Sequence, residues 1–330
     1  MALRKLKLPD DFIPLGDMLA ETFQYPENES WSVQTDEQEQ IQESVKNFKR
    51  IWPLIRLIQC ISPPARDLMR GFVWEENGQL AGTSTIQRRG ATDVWVVGTV
   101  GVIPAYRRRG IARKLVEASL DLIRELGGKK AFLGVIDGNL PAYQLYESLG
   151  FENYSGSIEF HIIPETTPSE HALPEGYTLT PLKRFEWQLR YELEKRISPE
   201  SLLKYEPVEV GRFRMPFLIR LIWPLIMFAQ GMHVKNFAIF TSPEGKIVAR
   251  FGYTIPTRGK GLSTLEIGLD PDHPELAPFI IHDLMHRVMS LSPGKRVEIS
   301  VPKWMPAVIS AVETAGFERR LEQCYMGVVL

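Results

Sequence analysis

The sequence predicts a mixed α/β protein in which one fold occurs twice, and two observations support this. The first is a repeat: residues 51–55 (IWPLI) recur as residues 222–226, and Trp-Pro is too rare a pair for chance identity. Gly150 and Gly316 both precede Phe-Glu, so the offset between the copies drifts only from 171 to 166. The second is the alternation of strand-like and helix-like segments along the first copy.

The chain length is consistent with two domains. At about 150 residues per domain, 330 residues are enough for two cores. Residues 164–176 contain three prolines and many small polar residues, a composition typical of a linker. We therefore expect an N-terminal domain at 1–163, the linker at 164–176, and a C-terminal domain at 177–330.

Composition excludes several classes of protein. With 39 basic and 40 acidic residues the net charge is −1, which gives no overall field for nucleic acid. Two cysteines, Cys60 and Cys324, are too few for a disulfide framework. Residues 1–17 lack the apolar region of a signal peptide, and no apolar run is long enough to span a membrane. We expect a cytoplasmic protein.

The first copy can be divided into elements from its periodicity and turn residues. A Glu-Asn-Gly turn at 76–78 predicts a hairpin, and a Val-rich strand follows in which Gly98 and Gly101 permit a bulge. Two helices and two more strands complete the copy. The expected elements are strands at 71–75, 82–88, 94–103, 130–136 and 156–163, and helices at 111–126 and 141–149.

The most informative stretch is the predicted strand-to-helix junction at 102–112. The start of a helix presents free backbone N–H groups and a partial positive charge, which suits a pyrophosphate. Gly110 and Ala112 are small enough to let phosphates approach the backbone. Five cations surround this point, which a solvated basic turn would also show: Arg107, Arg108, Arg109, Arg113 and Lys114.

This junction resembles the signature of the GNAT N-acetyltransferases, Arg/Gln-x-x-Gly-x-Gly/Ala, present here as Arg107-x-x-Gly110-x-Ala112. A second family segment also occurs at the expected distance, as Asn139, Ala142, Leu145, Tyr146 and Gly150-Phe151. The resemblance covers roughly residues 1–163. Together with the repeat, it implies two tandem GNAT-like domains, each a mixed, mostly antiparallel twisted sheet flanked by helices.

The resemblance also implies a cofactor site for acetyl-CoA, with CoA as the product. The pyrophosphate would lie on Arg107, Arg108, Arg109, Gly110, Ile111 and Ala112. The pantetheine would pair with the backbone of Val100 and Val102, Asn139 would contact the cofactor, and Tyr146 would protonate the departing thiolate as the catalytic residue. We expect no metal: His282 and His286 have helical spacing, but no third ligand is evident.

This chemistry suits the residue types. An amine attacks the thioester carbonyl, the Val102 N–H can stabilise the oxyanion, and a phenol can protonate the sulfur. Tyr143 lies on the same short helix, but Tyr146 alone matches the motif. The general base stays open among Glu21, Asp93 and Glu159.

The second copy lacks the phosphate-binding features. Its corresponding turn contains Asp272 and Glu275, which repel phosphate, and two prolines without N–H groups. Asn139 and Tyr146 correspond to Met305 and Val312. We expect a degenerate GNAT-like domain without cofactor chemistry.

The acceptor is expected to be a small-molecule or peptidyl amine. Residues 27–39 precede the first apolar segment and carry five carboxylates, Glu27, Glu29, Asp36, Glu37 and Glu39, whose negative potential could attract a cationic amine. Trp31 could stack on it, although a solvated acidic loop is the simpler interpretation.

Two alternatives to this enzyme remain open. One is a CoA-binding regulatory or interaction module without turnover, which the intact Tyr146 disfavours. The other is a transferase using a peptidyl or aminoacyl donor, which the intact pyrophosphate motif disfavours.

Two apolar segments, 51–61 and 217–229, are common to both copies. They are expected to be helices, one starting near Pro53 and the other kinked at Pro224. They either pack together about a pseudo-twofold axis, which is the simpler account, or lie on a membrane surface.

Overall fold

One continuous sheet of twelve strands runs through the described part of the chain. The computed structural model describes residues 2–330 except 26–27, 62–65, 68, 167, 169–170, 184 and 258–260, and omits the side chains of 35, 36, 40, 41, 44, 61, 218 and 229. The strand order is β1-β2-β3-β4-β5-β12-β6-β11-β10-β9-β8-β7. The strands are β1 (Ala2–Lys5), β2 (Arg70–Glu76), β3 (Gln79–Arg88), β4 (Val94–Val102), β5 (Lys130–Ile136), β6 (Glu152–Ile162), β7 (Tyr177–Pro181), β8 (Met232–Thr241), β9 (Ile247–Pro256), β10 (Ser263–Leu269), β11 (Val297–Pro302) and β12 (Glu318–Val329).

The two halves exchange their final strands. β12 pairs with β5 of the first half, and β6 pairs with β11 of the second. β12 and β6 then pair with each other at the centre of the sheet. Among the strands that the structure describes, β4–β5 and β10–β11 are parallel, and the other neighbouring strands are antiparallel. The sheet therefore crosses from one half of the sequence to the other.

Helices cover this sheet and connect its strands. Two short 3₁₀ turns, Glu29–Trp31 and Pro104–Tyr106, precede α2 and α3 respectively. The helices are α1 (Phe12–Thr22), α2 (Thr35–Ile61), α3 (Ile111–Glu125), α4 (Leu140–Glu147), α5 (Gln188–Ile197), α6 (Glu200–Leu203), α7 (Val210–Phe213), α8 (Phe217–Gln230), α9 (Leu276–Leu291) and α10 (Pro306–Thr314).

The elements predicted for the first copy are confirmed. The hairpin forms as β2 and β3, the Val-rich strand as β4, and both predicted helices as α3 and α4. β6 begins at Glu152, four residues before its predicted start, because its first residues pair with β12.

The predicted helix start near Pro53 is wrong. α2 begins at Thr35 and contains Pro53 in its interior. The polar residues from 36 to 50 are mostly good helix formers, so they extend the helix toward the N-terminus. Part of the stretch that the sequence presents as an acidic loop therefore belongs to α2.

The core of the first half contains residues from the second. Cys324, Met326 and Val328 of β12 belong to the same buried cluster as Trp95 and Phe151. Met326 has no exposed surface. The exchanged strand is therefore part of the core of the first half, and its burial stabilises that half.

The two apolar helices, α2 and α8, contact each other, so the prediction of mutual packing is confirmed. α2 also packs on α1, where the ring of Trp52 meets Phe12 edge to face at 5.2 Å. α8 leaves Leu221 and Leu225 largely exposed. Among the described residues, no helix is both long enough and apolar enough to cross a bilayer.

Candidate functional site

The central feature of the site is a gap between β4 and β5. These strands are paired only between Val94–Val96 and Lys130–Phe132, and beyond this register they separate. On its other side β4 bulges, because Thr99 and Val100 together lie opposite the single residue Ser84 of β3. The bulge puts Thr99 at a φ of +49°. Among the described residues, the backbone groups of β4 beyond Val96 consequently have no strand partner on the β5 side.

The predicted phosphate-binding turn lies at the end of β4. Gly110 has a φ of +73°, a conformation that glycine adopts without the strain of a side chain. The first hydrogen bond of α3 runs from Lys114 N to the Gly110 carbonyl at 3.2 Å. The N–H groups of Ile111 and Ala112 precede this bond and have no acceptor within the helix. A Cβ placed on Gly110 would meet no atom within 4 Å, so this helix start has open space for an anion.

The side chain of Arg107 lies on the protein rather than in that space. Its Nε donates to the Val102 carbonyl at 3.0 Å, and Nη2 donates to the Thr22 carbonyl at 2.9 Å. It thereby ties the end of α1 to the end of β4. The geometry gives this arginine a role in holding the turn.

The other four cations of the turn differ in their partners. Arg109 pairs with Glu76, Arg113 donates to Ser148, and Lys114 lies over the ring of Trp74. Arg108, exposed and at a φ of +63°, has no side-chain partner within the described ranges. It is therefore the cation of the five that can bind an anion without giving up another contact.

Tyr146 lies on α4 and is 6% exposed. Its ring packs against Phe151 at 6.0 Å, in the cluster that β12 completes. Burial, with a smaller contribution from the nearby Tyr25 phenol, raises the pKa of Tyr146 above its ordinary value. The phenol therefore stays protonated at neutral pH. Tyr143, one turn earlier, is only partly buried.

Asn139 caps the helix that carries Tyr146. Its Oδ1 accepts a hydrogen bond from Ala142 N at 3.4 Å, and Pro141 occupies the first turn. A capping asparagine satisfies a backbone donor that would otherwise lack a partner. In this structure the side chain of Asn139 therefore orients α4 at the edge of the gap.

Trp31 and Tyr25 lie beside the same edge. Their rings meet edge to face at 5.7 Å, and a Cβ on Gly138 would be 3.4 Å from the Trp31 ring. The pKa of Tyr25 is raised, because the effect of burial exceeds the opposing effect of the nearby Arg107 charge. Trp31 thus packs on the protein at the point where β5 leads into α4.

The acidic residues before α2 and in its first turn are not a uniform charged surface. Glu29 and Glu39 are exposed, but Glu37 bonds to Arg296 and Arg320 in the second half. Glu27 and the side chain of Asp36 lie outside the described residues.

Sequence reasoning missed a buried charged cluster between the halves. Arg320, 8% exposed at its side chain, contacts three carboxylates through Nη1: Glu37, Glu159 at 3.1 Å and Glu298 at 3.2 Å. Arg320 is the extra residue of a bulge in β12, which points its side chain into the cluster. The carboxylate oxygens lie within 4.8 Å of one another around this guanidinium. The available signal was a charged residue between buried apolar ones, as in Val297-Glu298-Ile299.

The three candidate bases from the sequence occupy different places. Glu21 lines a separate cavity with Arg4 and Asp11. Asp93 pairs with Lys129 at 3.2 Å, at the far end of β4. Glu159 belongs to the Arg320 cluster, where burial raises its pKa.

The corresponding helix start in the second half is occupied by acidic side chains. Asp270 accepts from Asp272 N at 3.2 Å and from Arg196 at 2.9 Å, and Glu275 accepts from the Tyr177 hydroxyl. These carboxylates repel a phosphate at this position.

The two histidines of α9 make other contacts. His282 stacks on His171 at 4.9 Å, and His286 Nδ1 lies 3.2 Å from the Pro168 carbonyl.

Residues 23–151 match the model of the acetyltransferase (GNAT) family. The matched region is confined to the N-terminal part of the chain, which is similar to acetyltransferases of this family. N-alpha-acetyltransferase RimI of Mycobacterium tuberculosis is 42% identical over 77 residues, 23% of this chain and 47% of that protein. The ribosomal protein bS18 alanine N-acetyltransferase of Escherichia coli is 31% identical over 102 residues, 31% of this chain and 66% of the relative. The chain thus spans about half the length of the first relative.

Solved structures match the whole fold. A tandem GNAT protein from the clavulanic acid biosynthesis pathway aligns with 99% of this chain and 98% of its own, at a TM-score of 0.64 and 14% identity. A GCN5-related N-acetyltransferase from Sphaerobacter thermophilus aligns with 99% and 95%, at a TM-score of 0.66 and 14% identity. The architecture is therefore that of tandem GNAT proteins, as the sequence predicts.

Proposed function

We propose that the chain transfers the acetyl group of acetyl-CoA to a primary amine by direct attack, using a site in its first half. The observation that carries this proposal is the open start of α3 at Gly110, at the end of a strand that separates from its neighbour. A free helix start suits a pyrophosphate, and a backbone edge without a strand partner suits the amides of pantetheine.

The residues present fit this substrate. The N–H groups of Gly110, Ile111 and Ala112 would hold the phosphates, and Arg108 would add a positive charge. Val100 and Val102 would pair with pantetheine along the gap. Arg107 and Asn139 support this arrangement by holding the turn and capping α4, respectively.

The proposed reaction forms a nitrogen–carbon bond and breaks the carbon–sulfur bond of the thioester. The negative charge on the carbonyl oxygen would be stabilised by the Val102 N–H. Tyr146 would donate its proton to the departing thiolate, and its raised pKa keeps that proton in place at neutral pH.

The alternative, a CoA-binding module without turnover, is supported by one observation. Tyr146 is almost fully buried and packs among core residues, as a purely structural tyrosine would. Turnover with any amine would exclude this alternative.

Calorimetric titration with acetyl-CoA, followed by mass spectrometry of an incubation with mixed amines, tests the proposal. We expect one acetyl-CoA per chain and acetylated amine as product. Binding without any product would favour the module, and two sites per chain or no binding would contradict the proposal.

A further inference from the structure

A cavity of about 490 Å³ lies between α1, α2 and the bulged part of the sheet. Most of its wall is apolar, including Phe12, Leu15 and Val45. Phe48 and Met69 also line it and are more than a third exposed, which indicates that the cavity opens to solvent there. A volume of this size is typical of small-molecule sites.

The cavity also has a polar part, which is next to the β4 bulge. Thr99 of the bulge and Thr85 of β3 line it, with their hydroxyls 3.1 Å apart. Thr99 is directly followed by Val100, where the proposed function puts the pantetheine. A ligand in this cavity would therefore lie next to the bulge that the thioester approaches.

The second half contributes a carboxylate to the same cavity. Glu298 of β11 lines it together with Glu37 of α2. Arg296 and Arg320 approach Glu298 at 2.9 and 3.2 Å, and both contacts fall on Oε1. Oε2 of Glu298 has no partner in the part of the chain that the structure describes. One oxygen is thus fixed, and the other can accept a proton or a hydrogen bond.

We propose that this cavity is the acceptor site, that it takes a primary amine carried on an apolar body, and that Glu298 receives the proton of the entering ammonium. The proposal rests on the proposed acetyl transfer. It makes the degenerate half a necessary part of the active site, because Glu298 comes from that half.

The proton balance is complete. The ammonium gives one proton to Oε2 of Glu298 and becomes a neutral amine. After attack, the carbon–sulfur bond breaks, the thiolate takes the proton of Tyr146, and the amide nitrogen loses its second proton to return Tyr146 to the protonated form through water. Glu298 releases its proton to solvent, so each turnover yields amide, CoA and one proton.

The surroundings of Glu298 suit a base that works near neutral pH. Burial raises its pKa to about 7, with Arg296 and Arg320 opposing this and Glu159 and Glu37 adding to it. His161 of β6 is its cross-strand neighbour. A base is most effective when its pKa lies near the working pH.

The acceptor class can be tested by comparing steady-state rates for three kinds of amine. Phenethylamine and tryptamine represent small apolar amines, a short peptide with an N-terminal Leu represents a peptidyl source, and spermidine represents a polar polycation. We expect kcat/KM for at least one apolar amine or the Leu peptide to exceed that for spermidine at least tenfold. If the Leu peptide reacts faster than the small apolar amines, the acceptor is a peptide, and if it reacts more slowly, the acceptor is a small molecule. A preference for spermidine would overturn the proposal.

The role of Glu298 can be tested with Glu298→Gln, measured on the best amine between pH 5.5 and 8.5. In the unsubstituted chain kcat/KM should rise with pH through about 7. The variant should lose this rise and about 100-fold of the plateau rate, the lower range for general base catalysis. Glu298→Asp should restore the rise in part, and acetyl-CoA affinity should stay the same in both variants.

Glu159→Gln is the matched control, because Glu159 shares Arg320 but does not line the cavity. It should retain the rise in kcat/KM with pH. If Glu298→Gln kept the pH profile, or Glu159→Gln lost it equally, Glu298 would not be the base. Such a result would overturn the role of Glu298 but not the proposed acetyl transfer. A chain that neither binds acetyl-CoA nor acetylates any amine would contradict the proposed function itself.

Discussion

Arg320 of β12 donates to Glu37 of α2, with Nη2 3.0 Å from Oε2, and this ion pair joins residues 283 positions apart. Glu37 in turn lines the apolar cavity beside the β4 bulge. The exchanged strand therefore contacts both the core of the first half and the wall of the proposed acceptor site.

Replacing Arg320 with Met should destabilise the fold. Three carboxylates would lose their shared cation, and removing one partner of a buried ion pair typically costs about 3–5 kcal/mol. Arg319→Met is the control, since Arg319 is half exposed and pairs with Glu313 at the surface, where such a pair contributes about 0–1 kcal/mol. Urea unfolding of both variants measures the difference. Equal losses would show that the buried cluster has no special role in stability.

Gly110→Glu should weaken acetyl-CoA binding at least about 100-fold, or ~2.7 kcal/mol. The new side chain would enter the open space at the start of α3 and repel the phosphates. Gly127→Glu is a close control at the other end of α3, because Gly127 has a φ of +76° and equally open surroundings. Both changes put a side chain at a positive φ and strain the backbone alike. A difference in acetyl-CoA affinity between the two variants, measured by titration calorimetry, therefore reports loss of the site and not backbone strain. Similar affinity losses in the two variants would argue against binding at Gly110.

Tyr146→Phe should retain acetyl-CoA binding and lower kcat about 100-fold, as expected for loss of a general acid. The ring still packs against Phe151, so the unfolding midpoint should change little. Tyr143→Phe removes a hydroxyl from the same helix, and we expect nearly normal turnover. A fully active Tyr146→Phe variant would remove this tyrosine from the mechanism.

Met326→Ala should cost about 2–5 kcal/mol, because Met326 is fully buried in the core of the first half. Val329→Ala on the same strand is the control, since Val329 is 59% exposed and surface changes usually stay within about 0.5 kcal/mol. Denaturation followed by hydrogen exchange of the backbone around Trp95 in the first half should show a response to the change at Met326. Unchanged protection of the backbone around Trp95 would mean that the halves unfold independently.

The local elements of the first half could be predicted because their signals are local. The Asn77-Gly78 turn predicts a hairpin, Gly98 and Gly101 permit a bulge in β4, and the structure has both. The start of α2 was missed although the sequence carries a signal for it, because Ile41, Val45 and Phe48 recur at helical spacing among the polar residues before Trp52.

The strand exchange could not be predicted from one sequence. β6 and β12 are corresponding strands of a repeat, and both begin after Gly-Phe. The alternation of apolar residues allows either strand to pair with β5. Which of the two does so therefore depends on contacts between residues far apart in the sequence. The cluster of Glu37, Glu298 and Arg320 follows from that choice and was hidden for the same reason.

The exchange also has a consequence for how the protein is made. β12 emerges from the ribosome roughly 180 residues after β5, which at about 5–20 residues per second is a delay on the order of 10–40 s. During that time the final partner of β5 is absent, and β6, the next strand along the chain, is already synthesised. If β6 paired with β5 during this interval, it would have to leave before β12 could take its final place beside β5.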